Sequence, residues 1–505
     1  MASSSDIYVQ LVELSGRIIA KGTWSATLRA NCLYQCAHLA KPGHRCRLLQ
    51  GSWEITPITP LVAWDLSLDS CIQVVWLSSS TADRHSRSQA FAAIKADGSV
   101  VTWGGAGGGG DSSSVARLLT ESVVQVCGNA MAFAAIKVDG SVVTWGVAGG
   151  GGNSSAVASL LMEGVVQVCA NIQAFAAIKA DGSVVTWGDA GDGGDSSAVA
   201  PLLTEGVVQV CANIQAFAAI KADGSVVTWG NAGGGGDSSV VAPLLMEGVV
   251  QVCESHFSFA AIKADGSAVT WGDASCGGDS SAVAPLMKEG VVQVCGSSMA
   301  FAAIKADGSV VTWGNAGCGG DSSAVAPLLM EGVVQVCGSR MAFAAIKADG
   351  SVVTWGDAGG GGDSSAVAPL LMEGVVQVCG SRMAFAAIKA DGSVVTWGDA
   401  DCGGDSSAVA PLVTGGIVQV CGSLEAFAAI KADGSVVTWG DASCGGDSSA
   451  VAPLLTEGVV QVCANIEAFA AIKADGSVVT WGEAGCGGDS SVVAPLLTGG
   501  IVRVC

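Results

Sequence analysis

The chain has 505 residues, of which 50% are hydrophobic, and a formal net charge of −21 at pH 7. It contains no run of about 18 apolar residues, which excludes a membrane-spanning helix, and its first residues lack the basic and apolar segments of a secretory signal. We therefore expect a protein of a reducing compartment, the cytoplasm with the nucleus as the alternative, in which the 19 cysteines are thiols.

The charge is concentrated in residues 86–505, which carry 16 Lys and Arg against 38 Asp and Glu. Proteins that bind DNA or RNA neutralise phosphates with clustered Lys and Arg, so direct nucleic-acid binding is excluded. An acidic surface attracts basic segments instead. The expected partners are other proteins.

In chain order, the first elements lie within residues 1–78. "DIYVQLVELSGRIIAKGTW" reads as two strands joined at residues 14–17, and "SATLRANCLYQCAHLAKPGHR" reads as a helix. Ser25 or Thr27 stands near the start of that helix. One helix face carries Leu28, Cys32, Cys36 and Leu39. Residues 47–77 supply further strands.

This ββ–α–ββ order resembles the ubiquitin-like β-grasp over residues 6–77. The resemblance implies a small α+β domain at residues 1–78, followed by a linker at 79–90. By position, Leu14, Leu48 and Val75 fall where ubiquitin exposes its apolar recognition patch, which would make ubiquitin-pathway receptors partners. The alternative is that one or more of the three belongs to the core.

A group of metal-ligating residue types lies in the same region, namely Cys32, Cys36, His38, His44 and Cys46. Their spacing fits no familiar zinc pattern. We therefore predict no metal there and no cofactor in the chain.

The rest of the chain is a repeat. Ten Trp-Gly pairs follow one another at a constant spacing of 42 residues, with tryptophans at 103, 145, 187, 229, 271, 313, 355, 397, 439 and 481. A period of this length indicates a solenoid, propeller or array, because one unit cannot bury its apolar face alone. Residues 91–505 are thus predicted to form ten stacked units.

Each unit divides into short β-compatible runs. In the third unit "AFAAIK" (174–179) and "SVVTW" (183–187) flank an Asp-Gly pair, which is a strong hairpin signal, and "GVVQVC" (206–211) is a further strand. "SSAVAPLL" is ambiguous, because a serine or aspartate there could cap a helical turn that Pro201 interrupts. We expect a mainly β fold with three or four strands in each unit.

These residues resemble the repeat of the regulator of chromosome condensation (RCC), in which a similar Asp-Gly and Trp-Gly unit forms one blade of a β-propeller. The resemblance covers about 420 residues and implies a propeller-like array, closed as seven units plus three, as two smaller rings, or left as an open superhelix. The family protein exchanges nucleotide on a small GTPase through an inserted wedge. No insertion interrupts the 42-residue spacing here.

The recurring glycine-rich turn and the recurring cysteines are both predicted to be structural. No Lys follows the glycines, as a Walker phosphate loop requires, and calcium is the alternative ligand. A thiol that ends each "VVQVC" strand is a small buried hydrophobe, with a disulfide or metal ladder as the alternative. The four histidines form no recurring triad with Ser or Cys, so we predict no catalytic residue.

Differences among the copies gather between the Cys and the Phe of each unit and two residues after each Trp. Loops between strands of a rigid repeat are where recognition usually occurs, and neutral drift is the alternative. The candidate binding residues are His256, Phe257, Met299, Arg340, Met341, Arg382 and Glu425. The predicted function is a non-catalytic protein-interaction scaffold. The alternative is a small-GTPase regulator or an accessory subunit or fragment of an RCC-repeat ubiquitin ligase.

Overall fold

The computed structural model describes residues 6–13, 18–25, 33, 45–50, 53–55, 61, 71–77 and 88–505. Within those residues, none of the helices combines the length and the apolar character that crossing a bilayer requires.

The N-terminal region forms one five-stranded sheet from β1 (Asp6–Glu13), β2 (Ile18–Ser25), β3 (Arg45–Gln50), β4 (Trp53–Ile55) and β5 (Cys71–Leu77). The strand order is β2-β1-β5-β3-β4. Strands β1 and β5 are parallel, and the other neighbouring pairs are antiparallel. The predicted hairpin over residues 6–25 is therefore confirmed.

One face of this sheet is covered. Along β1 the buried Ile7, Val9 and Leu11 alternate with Tyr8, which is 45% exposed, as a half-buried strand requires. The same core contains Leu33, which is helical, and Leu48, both without exposed surface.

The three residues predicted to form the exposed patch can be placed only in part. Leu48 is fully buried in the sheet core, so the prediction that it is exposed is wrong, and the alternative that it is core holds. Leu14 and the side chain of Val75 lie outside the described residues. So do the predicted helix, apart from Leu33, and the side chains of the cysteine and histidine group in residues 32–46.

The repeats form ten three-stranded antiparallel sheets, which we number 1–10 and whose strands we call a, b and c. Strands b are Ala90–Lys95, Ala132–Lys137, Ala174–Lys179, Ala216–Lys221, Ser258–Lys263, Ala300–Lys305, Ala342–Lys347, Ala384–Lys389, Ala426–Lys431 and Ala468–Lys473. Strands c are Val100–Gly104, Val142–Gly146, Val184–Gly188, Val226–Gly230, Ala268–Gly272, Val310–Gly314, Val352–Gly356, Val394–Gly398, Val436–Gly440 and Val478–Gly482. Strands a of sheets 2–10 are Val123–Gly128, Val165–Ala170, Val207–Ala212, Val249–Glu254, Val291–Gly296, Val333–Gly338, Val375–Gly380, Ile417–Gly422 and Val459–Ala464.

Two short helical segments follow strand c in every unit. The first lies in the glycine-rich turn: Ala106–Gly108, Ala148–Gly150, Ala190–Gly194, Ala232–Gly234, Ala274–Cys276, Ala316–Cys318, Ala358–Gly362, Ala400–Gly404, Ala442–Gly446 and Ala484–Cys486. The second is a 3₁₀ helix: Ser113–Leu118, Ser155–Leu160, Ser197–Leu202, Ser239–Leu244, Ser281–Leu286, Ser323–Leu328, Ser365–Leu370, Ser407–Leu412, Ser449–Leu454 and Ser491–Leu496. The ambiguous "SSAVAPLL" segment is thus a single short helix with Pro201 inside it, and each sheet has three strands.

Strand b is buried on both faces, which explains why its sequence is almost wholly apolar and does not alternate. In sheet 4, Phe217 and Ala219 pack against sheet 3, in a core shared with Ala174, Ala176 and Ile178. The other face of the same strand packs against Phe259 and Ala261 of sheet 5. Small residues on one sheet meet a large ring on the next, so the sheets fit together closely.

The tenth unit contacts the first in the same way. The last strand, Ile501–Val504, pairs antiparallel with Ala90–Lys95 and is strand a of sheet 1. Phe91 of sheet 1 shares a core with Ala468 and Ala470 of sheet 10. The sheet-to-sheet contacts therefore run through all ten units and return from the tenth to the first.

Candidate functional site

The four residues that follow the Cys of strand a, 128–131 in sheet 2, form what we call the ab loop, which has one buried anchor. In sheet 2, Asn129 Oδ1 accepts hydrogen bonds from the backbone N–H groups of Met131 (2.9 Å) and Ala132 (2.8 Å), and its Nδ2 donates to the Gly150 carbonyl at 2.8 Å. In sheet 6 the hydroxyl of Ser297 donates to the Cys318 carbonyl at 2.9 Å. This second loop residue is therefore structural in each form, and it holds the ab loop to the glycine-rich turn.

The third residue of the ab loop joins neighbouring sheets. Its backbone N–H donates to the carbonyl of the equivalent residue in the next sheet, for example His256 to Ser298 at 3.0 Å and Arg340 to Arg382 at 3.0 Å. Seven such bonds link residues 172, 214, 256, 298, 340, 382, 424 and 466 in order. The ladder uses only backbone atoms, so the side chain at this position can vary without breaking it.

The fourth residue of the ab loop lies over the glycine-rich turn of its own sheet. A Cβ atom on Gly150 would lie 2.5 Å from the Met131 Cβ, and one on Gly360 would lie 3.1 Å from the Met341 Cβ. The backbone carbonyl of the fourth residue accepts from the residue after the Trp-Gly pair, as Met131 does from Val147 at 2.9 Å. Third and fourth residues together form a rim, which we call the ab rim.

The structure places all seven predicted repeat residues on the ab rim. His256, Arg340 and Arg382 are third residues, and Phe257, Met299, Met341 and Glu425 are fourth residues. Arg340 is exposed and the other six are half-buried. The rings of His256 and Phe257 meet edge to face at 6.2 Å, and Arg382 pairs with Glu425 at 2.7 Å. Spatial grouping is therefore observed, whereas binding by these residues stays a prediction.

The glycine-rich turn is a contact between sheets. The indole N–H of Trp145 donates to the Gly109 carbonyl of the preceding sheet at 2.9 Å, and Trp103 donates to Gly487 at 3.0 Å. Gly109 has φ +88°, and a Cβ there would lie 2.7 Å from a ring carbon of Phe133. The turn thus needs glycine both for its backbone and for the approach of the next sheet. This geometry supports the structural interpretation over phosphate or calcium binding.

The second set of variable positions, two residues after each Trp, lies at the start of that turn. The Asp189 carboxylate accepts from the backbone N–H of Asp192, and the Asp357 carboxylate accepts from Gly360 at 2.8 Å. The Asn231 amide oxygen does the same for Gly234. These residues cap the turn, a structural role that Asp and Asn share, and Val147 shows that the cap is dispensable.

The cysteines of strand a are less uniformly buried than predicted. Cys169, Cys211, Cys253, Cys337 and Cys379 are buried, whereas Cys127, Cys295, Cys421, Cys463 and Cys505 are half-buried. The thiol of Cys463 lies 3.6 Å from the Val504 carbonyl of the neighbouring sheet. Burial, together with the neighbouring thiol of Cys505, raises the pKa of Cys463 to about 12. Such thiols are poor nucleophiles, which agrees with the packing role.

A second group of thiols, which includes Cys402, Cys444 and Cys486, lies in the glycine-rich turns beneath the ab rim. The carboxylates next to these thiols were not predicted from the sequence. Burial, followed by the Asp399 and Glu425 carboxylates, raises the pKa of Cys402 to about 12. Burial is also the main cause that raises the pKa of Cys444 to about 11 and that of Cys486 to about 12. A signal was present in the sequence, since Glu425 and Glu467 each stand 19 residues before one of these cysteines.

The turns between strands b and c, which we call the bc turns, lie at the end of strand b opposite the ab loop, and each carries an Asp. In the first unit Asp97 Oδ1 accepts from the backbone N–H of Ser99 at 2.9 Å and from its hydroxyl at 2.7 Å. These hydrogen bonds lower the pKa of Asp97. The equivalent Asp of each unit has the same arrangement, for example Asp181 and Asp475. Each bc turn therefore carries this Asp two residues after the Lys that ends strand b, for example Asp97 after Lys95.

No protein family and no curated protein matches this sequence. Solved structures give weak similarities. Yeast RCC1 (Prp20) bound to Kap60 is 12% identical with a TM-score of 0.35, over 88% of this chain and 92% of that chain. The computationally designed Ika8 protein is 14% identical with a TM-score of 0.28, over 63% and 96% of the two chains. The CRINKLY WD40 ectodomain of the Arabidopsis thaliana receptor kinase ACR4 is 15% identical with a TM-score of 0.28, over 53% and 93%. These values assign the chain neither a family nor a function.

Proposed function

We propose that this protein is a non-catalytic protein-interaction scaffold of the RCC-like repeat type, and that it recognises partners through the ab rim. One observation carries the proposal. The Phe-Ala-Ala-Ile sequence of strand b is the same in every unit and is buried between sheets, whereas the side chains that differ in the ab loop lie next to one another on the ab rim.

The ab rim has the composition of a recognition surface. Between residues 256 and 425 it presents Arg340 and Arg382, the aromatic ring of Phe257, and the thioethers of Met299 and Met341. Arg, aromatic residues and Met are the types enriched in protein interfaces. Because the backbone ladder fixes their spacing, a partner would meet side chains that are already positioned.

The net negative charge of residues 86–505 suggests a second and less specific contact. It would attract basic segments of a partner over a distance of about 10 Å at moderate salt, whereas the arginines of the rim would favour acidic groups. The same proposal locates the protein in the cytoplasm, with the nucleus as the alternative.

We further infer that the ten sheets form one ring, one of the closures that the sequence leaves open. The pairing of Ile501–Val504 with Ala90–Lys95 and the bond from Trp103 to Gly487 support it. A ring of ten sheets has a disc-like outline with a central opening in electron micrographs. Two smaller rings or an extended superhelix in such images would overturn this inference.

For the N-terminal region we propose a ubiquitin-like domain. The two hairpins joined through the parallel pair β1 and β5, and the helical Leu33 in their core, agree with the ββ–α–ββ order. With Leu48 buried, recognition by ubiquitin-pathway receptors would have to use other residues.

The test replaces one rim sequence with another that the protein already contains. A graft of "GSSM" over residues 254–257 changes Glu254, His256 and Phe257, and Arg340→Ser and Arg382→Ser complete the set. Because the ladder uses backbone atoms, we expect thermal stability to stay the same while capture of partners from the native extract is lost. The control is Lys288→Thr, since Thr stands at this position in other units.

Capture that is unchanged by the graft would overturn the rim proposal and leave neutral drift as the explanation of the variable loops. The identity of the captured protein distinguishes the alternatives. A nucleotide-dependent small GTPase would favour the exchange regulator, and a component of ubiquitin transfer would favour the ligase subunit.

A further inference from the structure

Three potential metal ligands meet under the ab rim of sheet 9. One donor atom from each of Glu425, Asp441 and Cys444 lies within 4.8 Å of the other two. They come from three points of the unit: the ab loop, the residue after strand c, and the glycine-rich turn. A backbone hydrogen bond from Asp441 to the Glu425 carbonyl, 2.9 Å long, holds the first two segments together.

The carboxylates are already oriented by other contacts. One oxygen of Asp441 accepts the backbone N–H groups of Ser443 (2.8 Å) and Cys444 (3.1 Å), and one oxygen of Glu425 pairs with Arg382. The other Glu425 oxygen lies 3.9 Å from the Cys444 sulfur. Zinc bonds of about 2.0 Å to oxygen and 2.3 Å to sulfur, at a tetrahedral angle, place those two atoms roughly 3.5 Å apart. Only a small closure is needed.

The sequence supplies an independent observation. Glu occupies the fourth position of the ab loop only at residues 425 and 467, and in both units a Cys stands 19 residues later. In the second of these units the Cys486 thiol lies 3.1 Å from a Glu467 oxygen. Elsewhere the same Cys position is paired with Met or Phe, as Cys318 is with Met299. Carboxylate and thiol thus occur together in neighbouring sheets.

We propose that Glu425, Asp441 and Cys444 bind a Zn²⁺ ion, with solvent at the fourth position. A mixed set of thiolate and carboxylate ligands suits zinc, whereas Ca²⁺ and Mg²⁺ prefer oxygen ligands alone. Cys444 is buried, and Glu425 and Asp441 are half-buried, so the ion has a path from solvent. Binding releases the thiol proton to solvent and offsets the repulsion of the two carboxylates.

The experiment uses the intact chain, freed of metal, and Zn²⁺ in competition with a chromophoric chelator. The variants are Glu425→Gln, Asp441→Asn and Cys444→Gly, and each introduces a residue that other units already carry at that position, such as Gln173, Asn231 and Gly150. The matched control is Cys318→Gly, which removes a thiol from the same place in sheet 6. Circular dichroism verifies the fold of each variant.

We expect one Zn²⁺ equivalent whose affinity falls more than about 10-fold in each of the three variants and is unchanged in the control. With Co²⁺ as the probe, a sulfur-to-cobalt charge-transfer band should disappear in Cys444→Gly and persist in Cys318→Gly. Equal Zn²⁺ stoichiometry and affinity in all folded variants, or a cobalt band that survives Cys444→Gly, would overturn the proposal.

Discussion

Strand b and the ab loop are adjacent in every unit, yet strand b is nearly constant in sequence and the ab loop varies. Strand b reads "AFAAIK" in nine of the ten units and is buried on both faces. The ab loop begins where strand a ends, and its third residue is Ala, Ile, His, Ser, Arg or Leu. Both segments make contacts to the next sheet, through side chains in strand b and through backbone in the loop.

The difference shows which kind of contact constrains a repeat. Where neighbouring units interlock through side chains, both faces of a strand are constrained, because its sheet lies between two others. Where they join through the peptide backbone, the side chain is released from packing and can serve recognition or metal binding.

Removal of the strand b ring should be the most damaging change. Phe217 has no exposed surface and stacks on Trp229 with ring centroids 5.3 Å apart. We expect Phe217→Ala to lower the free energy of unfolding by about 3–5 kcal/mol, measured by urea denaturation. Arg340→Ala, on the rim, should change it by no more than about 0.5 kcal/mol. Similar losses in the two variants would break the comparison.

Two glycines of one turn provide the next test. Gly151 has φ +94°, and a Cβ there would lie 2.5 Å from a ring carbon of Phe175, whereas a Cβ on Gly149 would meet nothing within 4 Å. We expect Gly151→Ala to destabilise the protein by about 2 kcal/mol or more through backbone strain and overpacking. Gly149→Ala should be close to neutral. If thermal melts of the two variants coincide, the turn is not a packing contact between sheets.

The residue before strand a allows a stabilising test. Ser122 has φ +68°, where all nine other units have Gly. Glycine adopts this conformation without the steric cost of a Cβ, so Ser122→Gly should raise the free energy of unfolding by roughly 1 kcal/mol. The reciprocal Gly164→Ser should lower it by a similar amount, since its φ is +76°. If chemical denaturation shows that Ser122→Gly lowers the free energy of unfolding and that Gly164→Ser raises it, the backbone at Ser122 is not strained.

The smallest effect expected from a single residue is the loss of folding stability at acid pH. The Asp195 carboxylate accepts from the Ser197 backbone N–H, and this hydrogen bond lowers the pKa of Asp195. A pKa lower in the folded than in the unfolded state adds stability above about pH 4, and that stability is lost as the pH falls through the folded value. The urea midpoint should therefore decrease from about pH 5 to pH 3.

The control removes these charges and keeps the turn. Asn153 already replaces Asp in one unit, and its amide oxygen accepts from Ser155 at 3.0 Å. The nine aspartates to be replaced by Asn are 111, 195, 237, 279, 321, 363, 405, 447 and 489. The replaced protein should show a flatter dependence of the midpoint on pH. An unchanged slope would mean that other groups govern the acid response.

Local features of the fold were predictable because their causes are local. The Asp-Gly hairpin and the three strands of each unit follow from turn chemistry and β-compatible runs, and the structure has them. The grouping of His256, Arg340 and Glu425 on one rim followed from the constant period. The burial of Leu48 could not be predicted, because an apolar residue in a sheet with one covered face fits either face until the strand register is known.

Long-range features could not be predicted, because they depend on the small rotation of each sheet relative to the next, added over ten sheets. Nothing near Ala90–Lys95 or Ile501–Val504 indicates that these strands pair. The backbone ladder through residues 172–466 likewise requires a particular curvature of the array. The cluster of Glu425, Asp441 and Cys444 was closer to prediction, since its spacing recurs, but half-burial of a carboxylate is not visible in a sequence.

The pairing of Ile501–Val504 with Ala90–Lys95 has a consequence for biosynthesis. On the ribosome, the edge of the first sheet is made long before the strand that covers it. At about 5–20 residues per second, the intervening chain of roughly 400 residues takes on the order of 20–80 s to emerge. During that interval an uncovered strand edge can pair with another nascent chain. A cell that makes this protein on crowded polysomes would therefore benefit from a chaperone that shields residues 90–95 until the last strand arrives.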